Sequence, residues 1–179
     1  KNIGISAGDL DLVVAARGPG SFSGLRIGMA AAKGLCAAAG CPCVSVPTLD
    51  VYGSLVPPGT GTVTAAVVDA KKNRFYAALY RDGERLTDYL DAEPGEIARL
   101  AAAHPRVVLT GPHAGLFLER LGAAGTAGNF LRDPDCRAGR SAVLLRMGME
   151  AFEAGLRDDP SAGPLYVRPP EARPSDGGA

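Results

Sequence analysis

Gly18-Pro-Gly-Ser-Phe-Ser-Gly24 carries the strongest chemical signal in the chain: it follows the apolar run Leu12 to Ala16 and opens a stretch of helix-forming residues. A strand, a glycine turn and a helix start, in that order, present open backbone N–H groups and the positive end of a helix dipole, which suit a phosphate or carboxylate. Gly18, Gly20, Ser21, Ser23 and Gly24 are the candidate anion-binding residues. Their spacing departs from the standard phosphate turns. G-x-G-x-x-x-G is one residue longer than the dinucleotide fingerprint, no G-K-[ST] follows, and Pro19 removes a donor. The competing reading is a tight connection in which Ser21 and Ser23 cap the helix.

A serine nucleophile has little support. A strand-to-helix elbow needs Ser midway between two glycines, and between Gly20 and Gly24 the middle residue is Phe22. His104 falls at the end of a helix and His113 in a loop, which does not assemble a Ser-His pair. Metal binding fares no better, because no His pair has helical i, i+4 spacing and Cys36, Cys41, Cys43 and Cys136 do not form paired C-x-x-C knuckles. The cysteines read as small buried hydrophobes. Asp69, at a hairpin corner, either positions a nucleotide-bound metal or makes a turn hydrogen bond. Beside it Lys71, Lys72 and Arg74 form a basic tip that is either solvated or in contact with nucleic-acid phosphates. On the helix Leu25 to Ala39, Gly24, Gly28 and Ala32 recur every four residues with Ala31, Gly34 and Ala38 nearby. Such a smooth stripe suits close helix packing, inside the fold or against a partner.

These residues need elements to hold them. Leu12 to Ala16 is a buried strand, Ser23 caps the helix Leu25 to Ala39, and Gly40 stops it. Cys43 to Val46 is a second strand, with a short helix from Pro47 to Leu55, and Pro57 to Gly61 separates two halves. Thr62 to Val68 and Phe75 to Tyr80 form a hairpin, followed by a strand Leu86 to Leu90, a helix Pro94 to Ala103, a buried strand Arg106 to Thr110 and a helix through Leu121. The last helix, Ser141 to Leu156, is capped by Ser141 and sets Leu145, Met149, Phe152 and Leu156 on one face. Val13-Val14 before Gly18-Pro19 is echoed by Val107-Val108 before Gly111-Pro112. The organisation expected is residues 1–56 as the remainder of a first lobe, 57–168 as a second lobe, and 169–179 as a disordered tail.

Composition narrows the partners. The 179 residues hold 19 Lys plus Arg against 19 Asp plus Glu, a net charge of zero, which argues against free-standing nucleic-acid binding. The absence of a disulfide pattern favours a reducing cytoplasm. No membrane span or signal peptide is legible, since Ile27 to Val46 is broken by Lys33 and Pro42. The opening at Lys1, without Met, reads as the exit of a helix into a strand, with an upstream portion missing.

Leu10-Asp-Leu-Val-Val-Ala-Ala-Arg-Gly-Pro-Gly-Ser-Phe-Ser-Gly-Leu-Arg-Ile-Gly28 resembles the signature region of the TsaB (YeaZ) family. Val46-Pro-Thr-Leu49, Val67-Val-Asp-Ala70 before Phe75-Tyr76, and Pro164-Leu-Tyr-Val-Arg168 extend the resemblance along nearly the whole chain. It implies an α/β, two-lobed actin-like, Hsp70-like ATPase fold (ASKHA, ribonuclease H-like), here without the first strands and helix. It also implies a noncatalytic partner, without cofactor, of the paralogue TsaD, which attaches threonylcarbamoyl to the adenosine beside the tRNA anticodon. TsaD holds a metal by a His pair on a helix, and this sequence has no such pair. Further implications are a homodimer when TsaD is absent, a TsaE-type ATPase reached through the complex, and only indirect contact with tRNA. Leu25, Gly28, Met29, Ala31, Ala32 and Leu35 become the candidate partner-binding residues, and Asp69 a degenerate nucleotide-turn acid. Ser23 stands where the family commonly has Thr. A glycoprotease-like hydrolase of the same superfamily is the alternative.

Overall fold

The computed structural model describes Gly4 and residues 6–55, 61–123, 129–134 and 140–168. Two sheets organise them. In the smaller, strand β1 (Val13–Gly18) pairs in parallel with β2 (Cys43–Pro47), and helix α1 (Phe22–Ala39) makes the crossover between them. Helix α2 (Thr48–Gly53) leaves β2 without a loop. The larger sheet begins with the hairpin β3 (Val63–Lys71) and β4 (Arg74–Arg81), continues through β5 (Glu84–Arg85), β6 (Leu90–Ala92) and helix α3 (Pro94–Ala101), and then adds β7 (Val107–Thr110), helix α4 (Ala114–Ala123) and β8 (Phe130–Arg132). Its strand order is β5-β4-β3-β7-β8, with β6 also paired to β4; β3 to β7 and β7 to β8 are parallel. Helix α5 (Ser141–Glu153) returns to the small sheet and packs on β1 and β2.

The central strand β3 is buried on both sides, as its unbroken apolar run requires. Val63, Ala65 and Val67 join Phe75, Ile97, Phe117 and Leu121 beneath α3 and α4. Ala66 and Val68 alternate to the other side, where Leu49 of α2, Ala78 and Tyr80 cover them. One hairpin sequence therefore builds two cores.

Several expectations from sequence are corrected. The first helix begins at Phe22, one turn early, and Ser21 in place of Ser23 caps it by accepting the Gly24 N–H at 3.4 Å. Gly40 does end it, in the left-handed region at φ 69°. The single strand Leu86 to Leu90 is instead two short strands, β5 and β6, and β8 was not legible at all. Helix α5 stops at Glu153, with Arg140 at its N-cap. Its Leu145, Met149 and Leu156 lie exposed, while Gly148 is the residue that meets the sheet. A Cβ on Gly148 would stand 2.3 Å from Val14 Cγ1, so the bare position sets how closely α5 approaches β1. The break expected at Pro57 to Gly61 lies outside the described residues except for Gly61, as do Cys136 and the tail 169–179.

The internal echo is a conformational one. Gly18 and Gly111 each leave a parallel strand at positive φ, +111° and +108°, ahead of a proline and a helix. A Cβ on Gly111 would also stand 2.2 Å from the Val67 carbonyl oxygen, whereas one on Gly34 in α1 would meet open space. Gly111→Ala is therefore expected to destabilise the fold by roughly 3 kcal/mol. Gly34→Ala should stabilise it by about 0.5–1 kcal/mol through the ordinary helix preference for Ala. Urea unfolding checks both as shifts of midpoint at constant slope, and equal midpoints would refute the close approach at Gly111.

Candidate functional site

The strand end of the glycine turn is covered by the protein itself. Gly18 and Pro19 are buried, and Gly18 backs onto the Leu165 carbonyl and the Leu25 side chain. The Leu165 N–H donates to the Arg17 carbonyl at 2.8 Å, the Arg17 side chain donates to the Gly163 carbonyl at 3.3 Å, and Tyr166 lies against Phe22 with ring centroids 5.2 Å apart. Arg26 stacks over Phe22 at 4.0 Å and donates to the Tyr166 hydroxyl at 3.0 Å. Ser21 holds the Gly24 N–H, the bond that the capping reading expects, and residues 163–166 lie along Gly18 and Phe22, while Ser21 to Gly24 face outward.

Helix α1 divides its residues between two faces. Met29 and Cys36 are buried, and Leu25 leans onto Gly18, so Met29 and Leu25 are separated from the other candidate partner-binding residues. Ala32 is half-buried. The outward stripe is Gly24, Ile27, Gly28, Ala31, Leu35 and Ala38, at spacings of three and four. Gly28 has nothing within 4 Å of where a Cβ would stand, and Ile27 is 71% exposed, the largest exposure of any bulky apolar side chain described. Ile27 escaped the sequence reading because small residues drew attention there. Its signal was an Ile with no apolar partner at the helical positions facing the sheet.

Asp69 is a structural anchor at the end of β3. Its side chain is only 5% exposed; it accepts from the Lys71 ammonium at 2.8 Å and the Lys71 N–H at 3.0 Å, and lies 3.5 Å from Arg120. Its own N–H donates to His113 Nδ1 at 3.0 Å, which joins the β3 end to the turn after β7. His104 lies elsewhere, 3.2 Å from the Arg81 guanidinium. Lys71, Lys72 and Asn73 all take positive φ, which lets the two central residues turn the hairpin. Arg74 is not part of a solvated tip: it donates to Asp91 at 2.9 Å, and Arg168 grips the same carboxylate at 2.6 and 2.9 Å while donating to the Ala70 carbonyl. Neither Asp91 nor Arg168 was singled out from sequence, because their partners lie far along the chain.

Burial pushes the Asp69 carboxyl up, but the hydrogen bonds and charge of Lys71, with Arg120, outweigh it and hold it below the usual carboxylate range. Asp91 follows the same pattern, with Arg168 and Arg74 outweighing burial. Among the described residues no group of three His, Cys, Asp or Glu could hold a metal ion, and no helix is long and apolar enough to cross a membrane.

Comparison with known proteins adds to this geometry. Residues 1–120 match the family described as TsaD: tRNA N6-adenosine threonylcarbamoyltransferase. An uncharacterized protein of Mycobacterium leprae (strain TN) is 38% identical over 108 residues, which cover 58% of this chain and 29% of that protein. Another, from Mycobacterium tuberculosis (strain ATCC 25618 / H37Rv), is 36% identical over 110 residues, covering 59% of this chain and 50% of that one. The chain thus spans half or less of these relatives. The tRNA threonylcarbamoyladenosine biosynthesis protein TsaB of Escherichia coli (strain K12) is 39% identical over 83 residues, 45% of this chain and 36% of that protein. Among solved structures, YeaZ from Pseudomonas aeruginosa superposes with a TM-score of 0.69 at 22% identity, covering 92% of this chain and 77% of that one. That likeness is one of fold, and it agrees with the actin-like ATPase architecture expected from the sequence.

The two depressed carboxylates have a consequence for acid stability. Their folded pKa values lie below the unfolded value of about 3.9, so the stability they add is complete above it and is lost as pH falls through the folded values. Asp91→Asn should lower the melting temperature at neutral pH and flatten the loss of stability between about pH 4 and pH 2. Thermal melts across that range test this, and parallel acid limbs for the two proteins would contradict it.

Proposed function

The chain belongs to the family described as TsaD: tRNA N6-adenosine threonylcarbamoyltransferase, and from that premise we propose that it is a TsaB-type partner protein in the synthesis of N6-threonylcarbamoyladenosine next to the tRNA anticodon. The likeness to TsaB of Escherichia coli supports this branch of the family. In this proposal the chain is noncatalytic and cytoplasmic and works by binding a TsaD-type transferase. The observation that carries it is the outward stripe of α1, where Gly24, Gly28, Ala31 and Ala38 leave the helix backbone open to close approach and Ile27 and Leu35 supply apolar area. The same stripe would serve a homodimer when the transferase is absent, so the two partners would compete. A TsaE-type ATPase would join through the complex, and tRNA would be met through the transferase, in keeping with zero net charge. The small sheet with α1, α2 and α5 would form one lobe and the large sheet the other; the expected division into residues 1–56 and 57–168 would then be crossed by α5, which packs on β1 and β2.

The hydrolase alternative is not favoured. Several groups that it would need are engaged in holding the fold: Ser21 caps α1, His113 accepts the Asp69 N–H, His104 sits against Arg81, and Asp69 is held between Lys71 and Arg120.

A bulky residue on the stripe should obstruct helix approach. Ala31→Trp is expected to cost about 1–3 kcal/mol in binding, the usual scale of overpacking, which is roughly ten- to a hundredfold in affinity. Leu100→Trp, at an exposed position on α3, should leave binding unchanged. Titration of the whole protein, as its gene encodes it, against the purified transferase measures this, with melting curves as the control for folding. An undiminished affinity for a folded Ala31→Trp protein would move the interface off α1.

A further inference from the structure

Three thiols converge where α1 ends and β2 begins. Cys36, in the last turn of α1, is buried and its thiol donates to the Pro42 carbonyl at 3.6 Å. The Cys41 N–H reaches back to the Cys36 carbonyl at 3.2 Å, a turn made possible by the left-handed Gly40, and this brings Cys41 beside the final helical turn. Cys43 starts β2 two residues later, and Cys36, Cys41 and Cys43 line one cavity. None of the three is in a disulfide. Together with Lys33, Asp158 and Pro160 they line an open cavity of about 490 Å³. Lys33 holds the far wall by donating to the Pro160 carbonyl at 2.6 Å and the Ala162 carbonyl at 2.5 Å. Asp158 keeps its Oδ2 out of solvent without a hydrogen-bond partner, an acceptor available to an O–H group entering the cavity.

From this arrangement we propose that Cys36, Cys41 and Cys43 form a peroxide-oxidised thiol site, with Cys41 the sulfur attacked and Cys36 the sulfur that closes the disulfide. The assignment follows accessibility and chain geometry: Cys41 and Cys43 are partly exposed and Cys36 is buried, and of the two partly exposed residues it is Cys41 whose N–H bond to the Cys36 carbonyl sets it beside the last turn of α1. The Cys41 sulfur, having lost its proton, attacks one oxygen of hydrogen peroxide; the O–O bond breaks, that oxygen stays as a sulfenic acid, and the other leaves as water. The Cys36 sulfur then attacks the sulfenic sulfur, forming the S–S bond and releasing a second water. Two thiols are oxidised and one peroxide is reduced to two waters. Cys43, on the wall of the same cavity, is placed to take over the bond by exchange. Burial pushes all three thiols up, so they are largely protonated at neutral pH. The site therefore suits slow modification under sustained peroxide and not rapid turnover.

The test uses the whole protein treated with hydrogen peroxide, alkylated, and cut with trypsin. Cleavage after Lys33 and Lys71 places the three cysteines on one peptide, Gly34–Lys71, apart from Cys136. The expected result is a Gly34–Lys71 peptide lighter by two hydrogens, with one alkylated thiol in place of three, and restored by a reductant. Cys36→Ala should lose that disulfide and carry Cys41 on to sulfinic acid, and Cys41→Ser, at the exposed position, should protect Cys36 from oxidation. Sulfinic or sulfonic acid without a disulfide in the natural protein would overturn the proposal. So would a disulfide to Cys136 or between chains, or full disulfide yield in Cys36→Ala.

Discussion

The contact on which the two sheets depend is made by the carboxylate of Asp50. It accepts from the hydroxyls of Tyr80 and Tyr89 at 2.7 Å each, so that one turn of α2 is bound to β4 and to the segment leading into β6. Tyr80 is almost wholly buried, and a buried phenol without an acceptor would be costly. Burial raises the pKa of both phenols, first for Tyr80 and also for Tyr89, and the adjacent Asp50 raises them further. Both remain neutral donors across the physiological range. One residue turn further on, Gly53 lies flat against the Tyr80 ring, where a Cβ would stand 2.5 Å from ring carbons. Because α2 leaves β2 without a loop, fixing α2 on the large sheet fixes β2, then β1 beside it, and then the helix that joins them.

A second tie acts from the opposite end of the chain. Residues 157–168 return from α5 across the small sheet, where Lys33, Arg17 and Arg26 hold them, and finish with Arg168 on Asp91 and the Ala70 carbonyl at the hairpin of the large sheet. This strap covers Gly18, at the strand end of the glycine turn, and lies against Phe22 at the start of α1. What it leaves uncovered is the outward stripe. The position of that stripe is thus a result of the strap and of Asp50, neither of which belongs to α1.

Much of the architecture was legible because local chemistry and tertiary structure agree. The left-handed Gly40, the helix start at Pro94 and the apolar pair β3 and β4 each satisfy a local rule that the fold also uses. Legibility failed where a distant partner decides. Leu145, Met149 and Leu156 have the spacing of a core face, yet the sheet selects Gly148, because close approach to Val14 needs a missing side chain more than it needs an apolar one. The strand expected at Leu86 to Leu90 divides because the Thr87 hydroxyl takes the Leu79 N–H, interrupting the ladder. Asp69 makes the turn hydrogen bond that was one of its two readings, but Arg120 and His113 lie about forty or fifty residues away, beyond any local pattern. On α1 the spacing of small residues was visible while the choice of face was not, which is why Met29 was grouped with Gly28.

The same division explains what kind of recognition this molecule supports. Its ion pairs at Asp69, Asp91 and Asp133 tie its own segments together. The open stripe of α1 carries almost no charge. A partner meeting it would gain little from electrostatic steering and would depend on backbone proximity and dispersion, which fall away steeply with small gaps. Small residues lose little side-chain freedom on being covered, so ordering them adds little cost. Selectivity on such a surface follows from shape, and shape here is set by the angle at which Asp50 and the strap hold the helix. The proposed partner surface and the fold's own ties are therefore one mechanical system, in which a loosened Asp50 would blur recognition without altering any residue of the stripe.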